Sequence, residues 1–267
     1  MNISLKKYFA APFLALSVFA TLGVASNSHA DYSSHPEVAE FIDTMVDKHQ
    51  FTRAEIIDWL KVAEHKESIV KAMSRPAEKV KPWYEYRKHF ISEARIKGGV
   101  KFWQNNKETL ERAQQEFGVD PAIIVSIIGV ETNYGSNTGS YLVVDALATL
   151  AFDYYTYTNK RPSRKRFFTA ELENLFLLAR EQKQNPIELK GSYAGAMGLG
   201  QFMPSSYRNY AVDFDNDQFA DIWTNPTDAI GSVANYFSEH GWKQGEIVAV
   251  RANINSDPAE DTLNNLH

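Results

Sequence analysis

Apolar positions recur at helical spacing through most of the chain from Pro36 onward. Val38, Phe41, Ile42, Met45 and Val46 form one stripe, the i, i+3, i+4 pattern of an amphipathic helix. Thr52 with Glu55 makes a capping box ahead of a second helical run, expected to stop before Pro76. The aromatic stretch 82–90 is short. A longer helix is predicted from about Ser92, interrupted at Gly98-Gly99 and ended by Gly118. In the next run Ile123, Ile124, Val125, Ile127, Ile128 and Val130 leave no polar face, which predicts a helix buried all round. Asp120 and Pro121 supply its N-cap and first-turn proline. Val144 to Phe152 reads as another buried helix and 154–163 as a polar, aromatic loop. Ser163 is the expected cap of a helix carrying Phe168, Leu172, Leu175, Phe176 and Ala179 on one stripe. A helix runs from Pro204 through Tyr210, and Asn225-Pro226 opens another that Gly241 ends. Residues 246–252 read as a strand and 253–267 as a polar tail. The fold class is mainly α, with little β structure.

Composition narrows the class of protein. The 267 residues, 44% of them hydrophobic, suffice for a real core and one or two domains. The net charge of −5 without a basic block argues against nucleic acid as a partner. The first thirty residues read as an export signal: Lys6 and Lys7, an apolar run from Tyr8 to Val24, then Ser28-His29-Ala30 as the cleavage site. That run is shorter than the ~20 residues that span a bilayer, so no stable membrane anchor is expected after cleavage. Without cysteine the chain has neither disulfides nor a cysteine-linked lipid. Loss of residues 1–30 removes two positive charges and leaves the remainder near −7. The expectation is a soluble, monomeric periplasmic protein. Aromatic residues, at 13%, fit a sugar-stacking groove, although core packing accounts for most of them.

Three stretches carry candidate chemistry. Glu131 stands where the apolar helix surfaces, half desolvated and near the negative end of the helix dipole. Both influences disfavour the carboxylate and raise its pKa, as a general acid requires. The block KGSYAGAMGLGQFMPSSY (190–207) has four glycines in its first eleven residues, so backbone there can approach a ligand or another segment closely. Its polar groups are Ser192 and Gln201, with Met197 as a soft apolar one, and an amide such as Gln201 suits an N-acetyl group. Finally Asp213, Asp215 and Asp217 fall at positions one, three and five of a calcium-loop spacing, with the Phe219 carbonyl at seven. Gln218 replaces the turn glycine and Thr224 stands where a bidentate glutamate belongs. Asp228 is the carboxylate available to close the shell.

Taken together, IIGVETNYG, DALATLAF, KGSYAGAMGLGQFMPSSYRNYAVDF and DAIGSVANYF resemble the B-type lytic murein transglycosylases of Gram-negative bacteria, over roughly Pro82 to Val250. The resemblance implies a lysozyme-like catalytic domain over 31–252 with peptidoglycan glycan strands in its groove. It places Glu131 as the single catalytic acid, Tyr86, Ser192, Gln201 and Tyr236 as sugar contacts, and Asp213, Asp215, Asp217, Phe219 and Asp228 around a structural calcium ion. No cofactor is implied for catalysis. The segment 154–166 is expanded against the family's short turn, leaving Arg161, Arg164 and Arg166 as alternatives for a stem-peptide contact. Relatives usually continue beyond the equivalent of His267. The implied activity is non-hydrolytic cleavage of the MurNAc-β-1,4-GlcNAc bond to 1,6-anhydro-MurNAc ends. Its rivals are a muramidase using a second carboxylate (Asp145, Asp153 or Glu171), a truncated non-catalytic peptidoglycan-binding protein, and a calcium-responsive protein.

Overall fold

The computed structural model describes residues 31–74 and 82–249, so the expected export signal (1–30) and polar tail (253–267) lie outside the described residues. The chain opens with α1 (Ala39–His49), α2 (Arg53–Val62) and α3 (Glu67–Ser74). The Thr52–Glu55 capping box is present at the start of α2. A short α4 (Trp83–Tyr86) precedes α5 (Glu93–Asn105) and α6 (Lys107–Phe117). The break between the last two falls at Asn106 rather than at Gly98-Gly99. Those glycines stay helical because the Tyr134 ring lies on them: a Cβ on Gly99 would meet the Tyr134 hydroxyl at 2.6 Å. They serve close packing, not interruption.

The central helix α7 (Pro121–Thr132) begins as expected, with Asp120 accepting the Ala122 N–H at 2.7 Å and Pro121 in the first turn. It is not buried all round. Ile124 and Ile128 are fully buried, whereas Ala122, Ser126 and Val130 form an exposed stripe at i, i+4 spacing. An apolar sequence without a polar face cannot say which side a neighbouring helix leaves uncovered.

Strand β1 (Tyr141–Leu142) leads into α8 (Val143–Ala148), which runs on as a π-helix, Thr149–Thr158. The loop expected at 154–163 is thus helical to Thr158. Tyr154 and Tyr155 are buried, and Tyr155 stacks on Phe168 with centroids 5.4 Å apart. Helix α9 (Pro162–Glu181) starts on Pro162 with Arg161 as its N-cap residue. Ser163 does not cap it, because the fixed φ and missing N–H of proline suit the first helical position. Strand β2 (Lys190–Gly191) pairs antiparallel with β1, Tyr141 opposite Gly191. Helices α10 (Pro204–Tyr210) and α11 (Pro226–Glu239) follow. The strand expected at 246–252 is not formed over 246–249, and the rest of it lies outside the described residues.

The core gathers around α8, the π-helix and α9, with α10 on α9 and α11 on α6 and α7. The β1–β2 pair holds the turn that follows α7 against the glycine-rich block. At Gly139, φ +92°, a Cβ would come within 2.1 Å of the Gly191 carbonyl oxygen, so only glycine fits there.

Candidate active site

Glu131 occupies the last turn of α7 and faces a cleft of about 320 Å³. Ile127, one turn earlier on the same face, lies beneath it. The opposite walls are Gly200, Gln201, Phe202 and Met203 from the glycine-rich block, Ser206 from α10, and Val233, Tyr236 and Phe237 from α11. Glu131 is the one carboxylate among these lining residues. Its side chain remains open to solvent at the mouth, yet the surrounding walls desolvate it enough to push the carboxyl pKa upward. Desolvation by burial is the cause of that shift. Two carbonyls of the last turns are hydrogen-bonded. Gly129 O accepts from the Arg95 guanidinium at 2.5 Å and from Asn133 N–H at 3.1 Å, and Ile128 O from Tyr134 N–H at 3.2 Å.

Behind Glu131 the chain turns sharply. Asn133, Tyr134 and Gly135 are all left-handed, with φ of 51°, 59° and 83°. Tyr134 returns to donate its hydroxyl to Arg95 O at 3.0 Å, and Arg95 in turn holds Gly129, so α5 clasps the end of α7 from both directions. Thr132, buried, hydrogen-bonds Leu199 O at 2.9 Å and accepts Gly135 N–H at 3.0 Å. Gln201, with φ 52°, donates its Nε2 to Thr138 O at 3.2 Å and to Gly198 O at 3.0 Å, which leaves Oε1 as the acceptor it offers. Tyr236 is wedged by Phe202 and Tyr210, ring centroids 5.7 and 5.2 Å away, and stacks on His240 at 4.0 Å. The fold therefore brings Glu131, Gln201 and Tyr236 to one cleft.

Ser192 and Tyr86 do not line it. Ser192 Oγ accepts Ala194 and Ala196 N–H at 3.3 and 3.1 Å and so shapes the glycine-rich loop. Tyr86 packs edge-on against Phe90 at 5.2 Å, beside a separate groove. That groove, about 580 Å³, is the larger cavity, bounded by Ile91, Ile96, Val100, Trp103 and the exposed stripe of α7. It holds no carboxylate, and its one charged group, Arg95, is engaged with Gly129 O. Arg161, Arg164 and Arg166 are exposed and outside the Glu131 cleft. Met197 is fully buried, and the methionine in the cleft is Met203. Ile127 was legible from helical spacing to Glu131. Ser206 and Phe237 carry no such signal, since their positions depend on how α10 and α11 pack.

None of the rival carboxylates lines the Glu131 cleft. Asp145 is 1% exposed, accepts the Glu64 N–H at 2.9 Å and lies 3.4 Å from Lys66 Nζ. Glu171 accepts from Ser205 N–H and Oγ at 2.9 and 2.7 Å. Asp153 is bound by Tyr32 and by His65 Nδ1, the latter at 2.7 Å.

The acidic loop converges as well. One carboxylate oxygen each from Asp213, Asp215, Asp217 and Asp228 falls within 4.8 Å of the others, an all-oxygen set that fits a calcium ion. Gln218 adopts φ +82°, the conformation for which the standard loop uses glycine. Thr224 turns to Asp221, its N–H 2.9 Å from that carboxylate, so the late position is taken by the buried Asp228. The Phe219 carbonyl accepts Asp221 N–H at 2.9 Å.

A mainly helical domain with one carboxyl at the surfacing end of its central helix, facing a cleft walled by a glycine-rich loop, has the lysozyme-like architecture of lytic transglycosylases. The chain belongs to the family described as the transglycosylase SLT domain, which it matches over residues 33–266. It is 47% identical over 232 residues to the membrane-bound lytic murein transglycosylase B of Escherichia coli K12, a match covering 84% of this chain and 62% of that protein's length. The catenated lytic transglycosylase SltB1 of Pseudomonas aeruginosa superposes with a TM-score of 0.80 at 55% identity, over 86% of this chain and 74% of that one. The lytic transglycosylase Slt35 of E. coli in complex with calcium does so with 0.74 at 46% identity, over 82% and 68%.

Proposed function

We propose that the chain is a peptidoglycan lytic transglycosylase in which Glu131 alone performs the proton transfers. The observation that carries this reading is a single desolvated carboxyl in a cleft without a second one. Protonated Glu131 donates to the glycosidic oxygen between N-acetylmuramic acid and N-acetylglucosamine. The 2-acetamido carbonyl of the muramic acid stabilises the positive charge that develops at C1. The ionised Glu131 then takes the proton of the C6 hydroxyl, whose oxygen bonds to C1 and closes the 1,6-anhydro ring. An internal hydroxyl outcompetes water when the apolar walls from Ile127, Phe202 and Phe237 restrict access.

Gln201 Oε1 is placed to accept an acetamido N–H, and the wedged Tyr236 ring offers a sugar face a rigid platform. Ser192 acts by shaping the loop, and Tyr86 lies outside the cleft lining. Asp213, Asp215, Asp217 and Asp228 would hold calcium as a structural ion, in keeping with the calcium complex of Slt35. The domain occupies 31–252 after an export signal at 1–30, and the protein works as a periplasmic monomer. No helix among the described residues is long and apolar enough to cross a membrane.

Mass spectrometry of muropeptides released from purified sacculi tests the reading. Anhydro-muramic ends from the wild type, and none above background from Glu131→Gln, are expected. Reducing muramic ends would overturn it in favour of hydrolysis, and an inactive wild type would leave a binding protein.

A further inference from the structure

Thr132 is the neighbour of Glu131 and points away from the cleft, into the core, where it is 1% exposed. Its Oγ1 has three backbone atoms within reach: Gly135 N at 3.0 Å, Leu199 O at 2.9 Å and Ile128 O at 3.1 Å. Gly135 N–H is the donor of the first. A hydroxyl carries one proton, so it serves one carbonyl at a time. Ile128 O already accepts the Tyr134 N–H at 3.2 Å, whereas Leu199 O has no other donor among the described residues. The proton therefore belongs to Leu199, 67 residues away in sequence.

Leu199 lies two residues before Gln201 in the loop that forms the opposite wall. Its own N–H is held by Ile222 O at 2.8 Å, and Gly198 before it is left-handed at φ +68°. On the other side, a Cβ on Gly135 would stand 3.4 Å from Leu199 Cγ, so turn and loop are already in contact. The Thr132 hydroxyl is thus the bond that joins the two backbones next to Glu131 itself, while the β1–β2 pair and the Gln201–Thr138 bond join them further along.

The geometry points to Thr132 as a positioning residue that sets the separation of Glu131 from the Gln201 wall. This rests on the acid role of Glu131 proposed above. Glu131 must meet the glycosidic oxygen and then the C6 hydroxyl of a sugar whose position the opposite wall decides. A shift of about 1 Å between the walls is enough to cost on the order of a hundredfold in rate.

The test compares wild type with Thr132→Val, which keeps the shape and removes the hydroxyl, and with Thr132→Ser, which restores it. Release of anhydro-muropeptides is followed at several substrate concentrations, with Glu131→Gln as the blank. Thr132→Val is expected to lower kcat about 10- to 100-fold with KM changed by less than about threefold, and Thr132→Ser to recover most of kcat. If Thr132→Val does not fold, Thr132→Ser against Thr132→Ala makes the same comparison of hydroxyl present and absent. A kcat near wild type without the hydroxyl, a loss confined to KM, or no recovery in Thr132→Ser overturns the assignment. Wild type without anhydro products brings down the functional reading and this one with it, whereas active wild type matched by Thr132→Val brings down this one alone.

Discussion

A methyl group on Gly129 would lie 2.6 Å from the Tyr134 hydroxyl and 2.7 Å from its ring, closer than any real contact allows. The Tyr134 ring sits in a pocket of three glycines, Gly98, Gly99 and Gly129, and is pinned there by its bond to Arg95 O. It cannot swing aside without giving up that bond. Gly129→Ala is therefore expected to destabilise the protein by about 1–3 kcal/mol, the usual range for overpacking a filled site. Denaturant titration would measure it. Because Gly129 is two residues from Glu131, activity should fall by more than the folded fraction does. Unchanged stability in this variant would show that Tyr134 is not confined as described.

The upward shift at Glu131 has two consequences of known sign. Activity needs the protonated carboxyl first, so kcat/KM should decline on the alkaline side through a group titrating above the ordinary glutamate value. Glu131→Gln should lose roughly 10²–10⁴-fold in rate and show no such limb.

Stability responds to the same group. A folded pKa above the unfolded one means that the neutral form is favoured in the native state. That contribution is complete below the unfolded value and is lost as pH rises through the folded one. Glu131→Gln should accordingly melt above wild type at neutral pH and together with it in acid. A wild type that melts higher at pH 7 would contradict the desolvation.

Glu171 is 4% exposed and accepts two hydrogen bonds from Ser205, at the start of the helix whose next residue, Ser206, lines the cleft. Ser205→Ala removes the hydroxyl partner of a buried carboxylate and should cost about 1–3 kcal/mol. Products should remain anhydro forms, since Glu171 does not reach the cleft. Reducing ends released by the wild type, and lost on altering Glu171 or Asp145, would restore the two-carboxylate mechanism.

Calcium is expected to raise the melting temperature without being required in the chemistry. At a hundred times its dissociation constant a bound ion adds about 2.7 kcal/mol to stability. Asp213→Asn with Asp215→Asn should abolish the effect in calorimetry while leaving the fold. Gln218→Gly should stabilise the loop by about 1 kcal/mol, because a side chain at φ +82° is strained and glycine is not. No thermal response to millimolar calcium would remove the ion from the account.

Read from residues alone, the helical class, the starts of α2 and α7, and Glu131, Gln201 and the aspartate loop as candidates were accessible. These depend on local rules: spacing along a helix, caps, glycine density, and carboxylates at regular intervals. Tyr236 came from the family resemblance, and the helix expected to run on until Pro76 ends at Val62. Exposure of the Ala122–Ser126–Val130 stripe was not accessible, nor was the helical state of 154–158 or the use of Gly98-Gly99 as a seat for Tyr134. Each is decided by which element lies opposite, and an apolar or aromatic run reads the same whether covered or bare. The same holds for Thr132, whose neighbour on one side is a candidate acid and whose partner is 67 positions away. Sequence determined which groups could do chemistry. Only the packing of α7 against the glycine-rich loop and α11 decided which of them share a cleft, because a side chain reaches a few ångströms and long-range contacts set what lies within that reach.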